Sequence, residues 1–406
     1  MTEIYEHQKG AVVIGARRAV GGLVAGMTAV LVLTACGSNS ADTPASAGEG
    51  SPAASEHAGH SPAAIPAAAP LKAGERFETL TMSQPYTPAA PNGGTDEYRC
   101  FLVDPKLTGP AYLTGSQFMP QNSDVVHHAM FYRIDPAGVA KARSADAASQ
   151  GEGWTCFGDE AIGRDAGWVA HWTPGMGENV WAPGTGIEMP AGSLIVMQVH
   201  YNLLATGGKG AADQSAIQLR LADGTKKLKP LEIEVANAPI ELPCAAGETG
   251  PLCDRKASIA DVTQRFGEDV GAREDQLVEE CTNGVPVPGN TQQCDQPVRK
   301  AGAIYALTGH MHMLGRSIKV ELNPGTPAAK TLLDVPVYNF DDQAVLQLAK
   351  PVPVKTGDTL RVTCTHDAGL RKLVPQLRTL PPRYVVWGDG TSDEMCVGMV
   401  IMSPAG

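Results

Sequence analysis

The chain has 406 residues, a formal net charge of −11, and only 18% charged against 43% hydrophobic residues. That acidity argues against a nucleic-acid partner, since phosphate backbones are bound by basic surfaces, and the length, at about 150 residues per domain, sets a prior of two to three domains. Gly at 45 positions and Pro at 31 favour turns and short strands over long helices, and nine cysteines leave one outside any set of pairs.

The unpaired cysteine is explained at the N-terminus. Arg17 and Arg18 precede an apolar run, Ala19 to Leu33, that closes on Leu33-Thr34-Ala35-Cys36. A basic stretch, a short apolar stretch and small residues at the cut describe an export signal rather than a membrane span. The closing tetrapeptide resembles the bacterial lipoprotein box, which implies lipidation of Cys36 after removal of residues 1–35. The mature chain is then expected outside the cytoplasm, held to the membrane by lipid. Residues 36–73 are almost wholly Ala, Ser, Pro, Gly and Thr, a composition that cannot build a core and reads as a tether. Its His57 and His60 read as spacer residues.

The folded body begins near Leu71 and reads as short strands. Apolar or β-branched runs occupy Tyr98 to Val103, Val125 to Ile134, Leu194 to Leu203 and Ala216 to Leu221. They resume at Ile304 to Thr308, Ser317 to Leu322, Thr359 to Thr365 and Val397 to Met402, with Pro, Gly, Asn and Asp between them. This spacing predicts an all-β fold of two tandem antiparallel β-sandwich domains. The boundary falls at Asp223-Gly224-Thr225-Lys226-Lys227, giving domains 74–225 and 226–406. Ala257 to Cys281 breaks the pattern. Ile259, Val262, Phe266 and Val270 recur at three and four residues, predicting one or two short helices. Cys244, Cys253, Cys281 and Cys294 bracket it, so residues 244–295 read as a disulfide-clipped insertion. With Cys36 set apart, the eight other cysteines of an exported chain read as four disulfides. Three pairings of the four around the insertion stay open.

The histidines carry the chemistry. His310-Met311-His312 puts two imidazoles on one strand face, about 7 Å apart along the chain. In Met197-Gln198-Val199-His200-Tyr201-Asn202, alternation places Gln198, His200 and Asn202 together on one face. Adjacent His127 and His128 should point to opposite faces of a regular strand, so they can share an ion only where the strand twists or ends. Imidazole serves zinc, copper, iron and nickel, whereas a thioether selects Cu(I). A methionine beside the second histidine pair, from Met311, Met313, Met395, Met399 or Met402, would favour copper over zinc.

The order His-His, Gln-Val-His-Tyr, His-x-His-x-Leu-Gly and Thr-Ser-Asp-Glu-Met-Cys resembles the copper type II ascorbate-dependent monooxygenases, the family of peptidylglycine α-hydroxylating and dopamine β-monooxygenase. The resemblance runs from Asp96 to Met402 and implies two jelly-roll-like sandwiches with two coppers per chain. His127, His128 and His200 would hold an electron-transfer copper, and Gln198 would support it. His310, His312 and Met395 would hold the oxygen-activating copper. The implied substrates are O2, a small organic molecule and a reductant such as ascorbate. Cys364–Cys396 and Cys100–Cys156 are implied disulfides. The arginine that clamps a substrate carboxylate in the peptide-hydroxylating enzymes stands here as Thr308, and an asparagine and a tyrosine as Val397 and Met399. A glycine-extended peptide is therefore not the expected substrate. Two other classes stay open: a non-catalytic copper storage or delivery lipoprotein, and a three-histidine zinc hydrolase, against which Met395 argues. His171 and His366 match no ligand position.

Overall fold

The computed structural model describes residues 66–162 and 166–405. Cys36, the export signal and the tether histidines lie outside those residues. Among the described residues no helix is long and apolar enough to cross a membrane.

Strand pairing separates into four sheets. Two are built from residues 75–230, a six-stranded sheet around Ala216–Asp223 and Ala111–Met119 and a five-stranded sheet in the order Trp154–Thr155, Asp96–Val103, Leu194–Asn202, Val126–Ile134, Ala166–Trp172. Two four-stranded sheets come from residues 232–404. One runs Glu232–Asn237, Val397–Pro404, Gly302–His310, Leu346–Val354; the other runs Thr291–Pro297, Thr359–His366, Gly315–Leu322, Lys330–Val335. Among the described residues, all pairings between these strands are antiparallel except a two-residue parallel contact of Lys229–Pro230 with Thr185–Gly186. The fold is all-β, as the turn spacing predicts.

Each sheet pair closes over its own core. Phe101, Leu113, Phe131, Val199, Tyr201, Ile217 and Leu219 fill the first, and Ile304, Leu307, Val320, Leu322, Val362 and Val400 the second. Alternation then dictates what faces away from the first core. With Val199 and Tyr201 turned inward, Gln198, His200 and Asn202 are turned outward, yet all three are buried. The outer face of the five-stranded sheet is therefore covered, in part by Ala142, Cys156 and Ile162 of the first half of the chain and in part by elements of the second half.

Two helices cover part of it. Arg255–Phe266 and Glu268–Thr282 meet at Gly267, whose φ of 95° ends one helix and starts the next. Val262, Phe266 and Val270 form a small core with Tyr384 and Val386. The disulfides resolve the open pairings: Cys244–Cys253 and Cys281–Cys294 clip the helices, beside Cys100–Cys156 and Cys364–Cys396. The insertion is shorter than its cysteines suggest, because Cys294 lies on the sheet strand Thr291–Pro297.

Candidate metal centre

The first cluster is made by an irregularity. Between Val126 and His128 the strand slips register against Leu194–Asn202, so that Val126 pairs with Tyr201 and His128 with His200. This bulge lets consecutive residues present the same face. His127 and His128 both turn outward, toward His200, where a regular strand would have separated them. The three Nδ1 atoms form a near-equilateral triangle, with edges of 3.2, 3.1 and 3.2 Å.

Protons alone do not satisfy such a triangle. His200 Nε2 lies 2.9 Å from Asp96 Oδ1, a carboxylate that can only accept, so this nitrogen carries the proton and Nδ1 the lone pair. Three imidazole nitrogens about 2 Å from one ion would be spaced much as these are. Among the described residues this is the one group of three or more His, Cys, Asp or Glu side chains assembled closely enough to hold a metal. Burial, reinforced by the neighbouring imidazoles, drives His127 and His128 well below the ordinary histidine range. Burial also lowers His200, against the pull of Asp96. All three are neutral at pH 7, the form that binds a metal.

The support around His200 is dense. Burial pushes the Asp96 carboxyl up, but hydrogen bonds from His200, Thr391 and Thr95 outweigh it, so Asp96 stays ionised. Thr391 donates to Asp96 Oδ1 from Oγ1 at 2.7 Å and from its backbone at 3.3 Å. Tyr98 stacks on His200, centroids 4.1 Å apart and planes within 12°. Gln198 sits on the same face but turns away from the triangle, donating to Cys156 O at 2.8 Å and Asp159 O at 2.9 Å. It secures the loop after the Cys100–Cys156 bridge rather than touching a histidine.

The second cluster closes the strand Gly302–His310. His310 is its last residue and His312 lies in the turn beyond, with ring centroids 5.2 Å apart. Here the proton positions are reversed. His310 Nδ1 donates to Gln343 Oε1 at 2.7 Å, and His312 Nδ1 faces Asp393 O at 3.2 Å, which leaves both Nε2 atoms as lone pairs. His312 Nε2 is buried without a partner, the state of a ligand nitrogen. Burial, then His312, pushes His310 down to about 3. The Glu394 carboxylate accepts from His312 N at 2.8 Å, Leu314 N at 2.6 Å and Met395 N at 3.3 Å. One side chain therefore fixes the backbone of both the histidine turn and Met395. The Cys364–Cys396 bridge follows immediately.

The clusters adjoin. His128 and His310 make an edge-to-face ring contact at 5.6 Å. Phe340, from the segment between Lys330–Val335 and Leu346–Val354, stacks on His127 at 4.5 Å and lies 6.4 Å from His312. Thr308 Oγ1 donates to Gln343 O at 3.1 Å, so Thr308 anchors this segment.

Residues 289–404 match the family model described as copper type II ascorbate-dependent monooxygenase, C-terminal domain. The matched stretch contains His310, His312, Met395 and the Cys364–Cys396 bridge, while the Nδ1 triangle lies outside it. The match supports a copper- and ascorbate-dependent monooxygenase-like function in general terms. Among solved structures, the major capsid protein P2 from bacteriophage PM2 aligns over 82% of this chain and 98% of its own, at 7% identity and TM-score 0.31. Allantoicase aligns over 78% and 90%, at 12% identity and TM-score 0.18. Neither bears on the site.

Several site residues carried no role in the sequence reading. Asp393 and Glu394 stand inside a motif string and Asp96 and Tyr98 at the start of the stretch the resemblance covers, but nothing in the strings says that they hold the histidines. Phe340 and Gln343 lie in a segment without any motif. His171 lies opposite Met130 on the outer face, buried, with both ring nitrogens unpartnered, and burial takes it down to about 4. His366 approaches Glu394 at 3.4 Å.

Proposed function

We propose that this protein is a copper-dependent monooxygenase that hydroxylates a C–H bond of a small organic substrate, using O2 and a one-electron reductant such as ascorbate. The observation that carries this reading is the juxtaposition of an Nδ1 triangle with a histidine pair whose Nε2 atoms are free, in ring contact through His128 and His310. In this reading His127, His128 and His200 hold one copper, and His310, His312 and Met395 the other. Copper bound there supplies one-electron chemistry, cycling between Cu(II) and Cu(I).

The residues around the ligands do the remaining work. Asp96 fixes the proton on His200, and Gln343 and the Asp393 carbonyl fix those on His310 and His312. Phe340 covers His127 and excludes water. Beside His310, cross-strand pairing sets Val397 against His310 and Met399 against Thr308, all buried and none charged. That wall offers no cation for a carboxylate, so it suits a substrate recognised by its apolar surface.

The test is oxygen uptake by the copper-loaded full-length protein with ascorbate and a panel of small C–H substrates. Met395→Ala should reduce substrate-dependent uptake by at least about 10-fold, the low end of the loss seen when the support of a metal site is weakened, while the copper held by the triangle remains. Copper bound without substrate-dependent uptake would make the protein a carrier, and tight zinc without oxygen chemistry would sink the copper reading.

We also propose that the chain is lipid-anchored through Cys36 outside the cytoplasm. The four disulfides support an oxidising compartment. Cys36→Ser removes the acyl acceptor and should move the protein from the membrane pellet to the soluble fraction; unchanged pelleting would refute lipid anchoring.

A further inference from the structure

The segment Gly388–Met395 has no regular secondary structure, yet Asp389, Thr391, Ser392, Asp393 and Glu394 are all buried. A buried irregular segment must find a partner for each polar group, and here the partners belong to both histidine clusters. On one side Tyr98, stacked on His200, donates its hydroxyl to Asp389 O at 2.8 Å. Thr391 donates twice to the Asp96 carboxylate that holds His200, and it also bonds Asn202. On the other side Asp393 O faces His312 Nδ1, and Glu394 holds the backbone of His312 and Met395. Five residues along the chain, from Asp389 to Asp393, thus connect the groups around His200 with those around His312.

The helical insertion grips the middle of this segment. Arg265, near the end of the helix Arg255–Phe266, makes a two-pronged contact with the Asp393 carboxylate at 2.8 and 2.7 Å. Arg383 adds a third bond at 3.0 Å. Gly390 makes room: a Cβ there would stand 2.7 Å from Arg265 Nη1 and 2.9 Å from the Phe266 ring. The same helix end also touches the first sandwich. Phe266 packs edge-on against Phe157 at 5.1 Å, and Asn92 donates to Arg265 O at 3.1 Å.

We propose that the insertion and the segment Gly388–Met395 form a brace that positions both metal centres together, with Arg265 and Thr391 as its positioning residues. The inference rests on the two-copper reading above. Its chemistry acts through the partners of the ligands. A carboxylate behind a ligand imidazole raises the basicity of the nitrogen that faces the metal, and each donor it accepts elsewhere draws charge away from that task. Thr391→Val keeps the side-chain shape and removes one donor to Asp96. Asp96 then pulls harder on His200 Nε2–H, His200 becomes the stronger ligand, and Cu(II) gains over Cu(I). Arg265 touches no histidine, so its effect on the triangle arrives through its partners, of which the Asp393 carboxylate is the one held by both prongs of the guanidinium.

The experiment uses the copper-loaded full-length protein, with copper content, Cu(II) electron paramagnetic resonance and the Cu(II)/Cu(I) midpoint potential as readouts. Thr391→Val should keep the wild-type copper content, lower the potential of the three-histidine centre and change its hyperfine splitting. Arg265→Met should shift the same signals and weaken copper binding by about 10-fold or more, the low end of the loss expected for a supporting group. If that variant does not fold, Arg265→Lys, which keeps the charge but loses the planar fork, should reproduce the shift. Wild-type spectra and potentials in both variants, whatever their melting temperatures, would overturn the brace alone. A wild-type protein that takes up no copper would overturn the two-copper reading and the brace with it.

Discussion

Replacing His200 with alanine should cost the protein one copper ion per chain and leave the other in place. His200 is completely buried, supplies one corner of the Nδ1 triangle, and is held from behind by Asp96. Two remaining imidazoles make a poor site, so affinity there should fall by more than the 10- to 100-fold that loss of a supporting partner costs. Asp96→Asn supplies the comparison. It keeps all three ligands and weakens only the support, so its loss should fall within that 10- to 100-fold range. Copper per chain and the copper dissociation constant of each variant decide the matter. The ring contact between His128 and His310 makes the prediction demanding, because the two clusters share a boundary. Loss of both ions on His200→Ala would mean that the five histidines form one site. The substitution also removes one donor from the buried Asp96 carboxylate, and a hydrogen bond to a charged group is worth about 1.5–3 kcal/mol. Thr391, Thr95 and Asn202 still donate to it, which keeps the folded state within reach.

The parts legible in the sequence were those written in local pattern. Strands with an apolar or β-branched run, such as Leu194–Asn202 and Val397–Pro404, stand where the runs are. Leu346–Val354 escaped the reading because it carries Pro351 and Pro353 and is largely exposed, as an edge strand can be. Thr291–Pro297 escaped it for being polar, and it too is an edge. The helices between Arg255 and Thr282 were visible from spacings of three and four. The bulge at His127 was not, because no residue type there announces it; Val-Val-His-His reads equally well as a regular strand. Pairs remote in sequence were the least legible. Thr391 lies 295 residues from Asp96, and only the closed fold shows that a hydroxyl in one motif serves a histidine in another. Motif strings named candidate ligands and were silent on what holds them.

The buried histidines also predict an acid-labile metal-free protein. His171 is pushed down to about 4 and His310 to about 3, in both cases first by burial, while His127 and His128 are driven well below their ordinary value. An unfolded chain protonates the same residues near pH 6.5. Below that pH the unfolded state binds more protons than the folded one, so stability falls as pH falls, and the loss continues until the folded-state values are reached. Each unit of separation is worth about 1.4 kcal/mol, so His171 alone loses on the order of 3 kcal/mol between pH 6.5 and 4. His310 and the triangle add to it, although their rings interact and their contributions do not simply sum. The total rivals the 5–15 kcal/mol by which ordinary domains are stable. Urea midpoints of the metal-free protein should therefore drop steeply from pH 7 to pH 4.5. Copper should restore the midpoint at neutral pH through ligands that bind only when neutral, and the restoration should fade as protons compete for the same nitrogens. His171→Phe separates the contributions: it removes one buried imidazole that matches no ligand position, and should flatten the acid slope of the metal-free protein while leaving its copper content unchanged. A metal-free protein equally stable at pH 7 and pH 4.5 would show that these rings are not held in the neutral, desolvated state the fold implies.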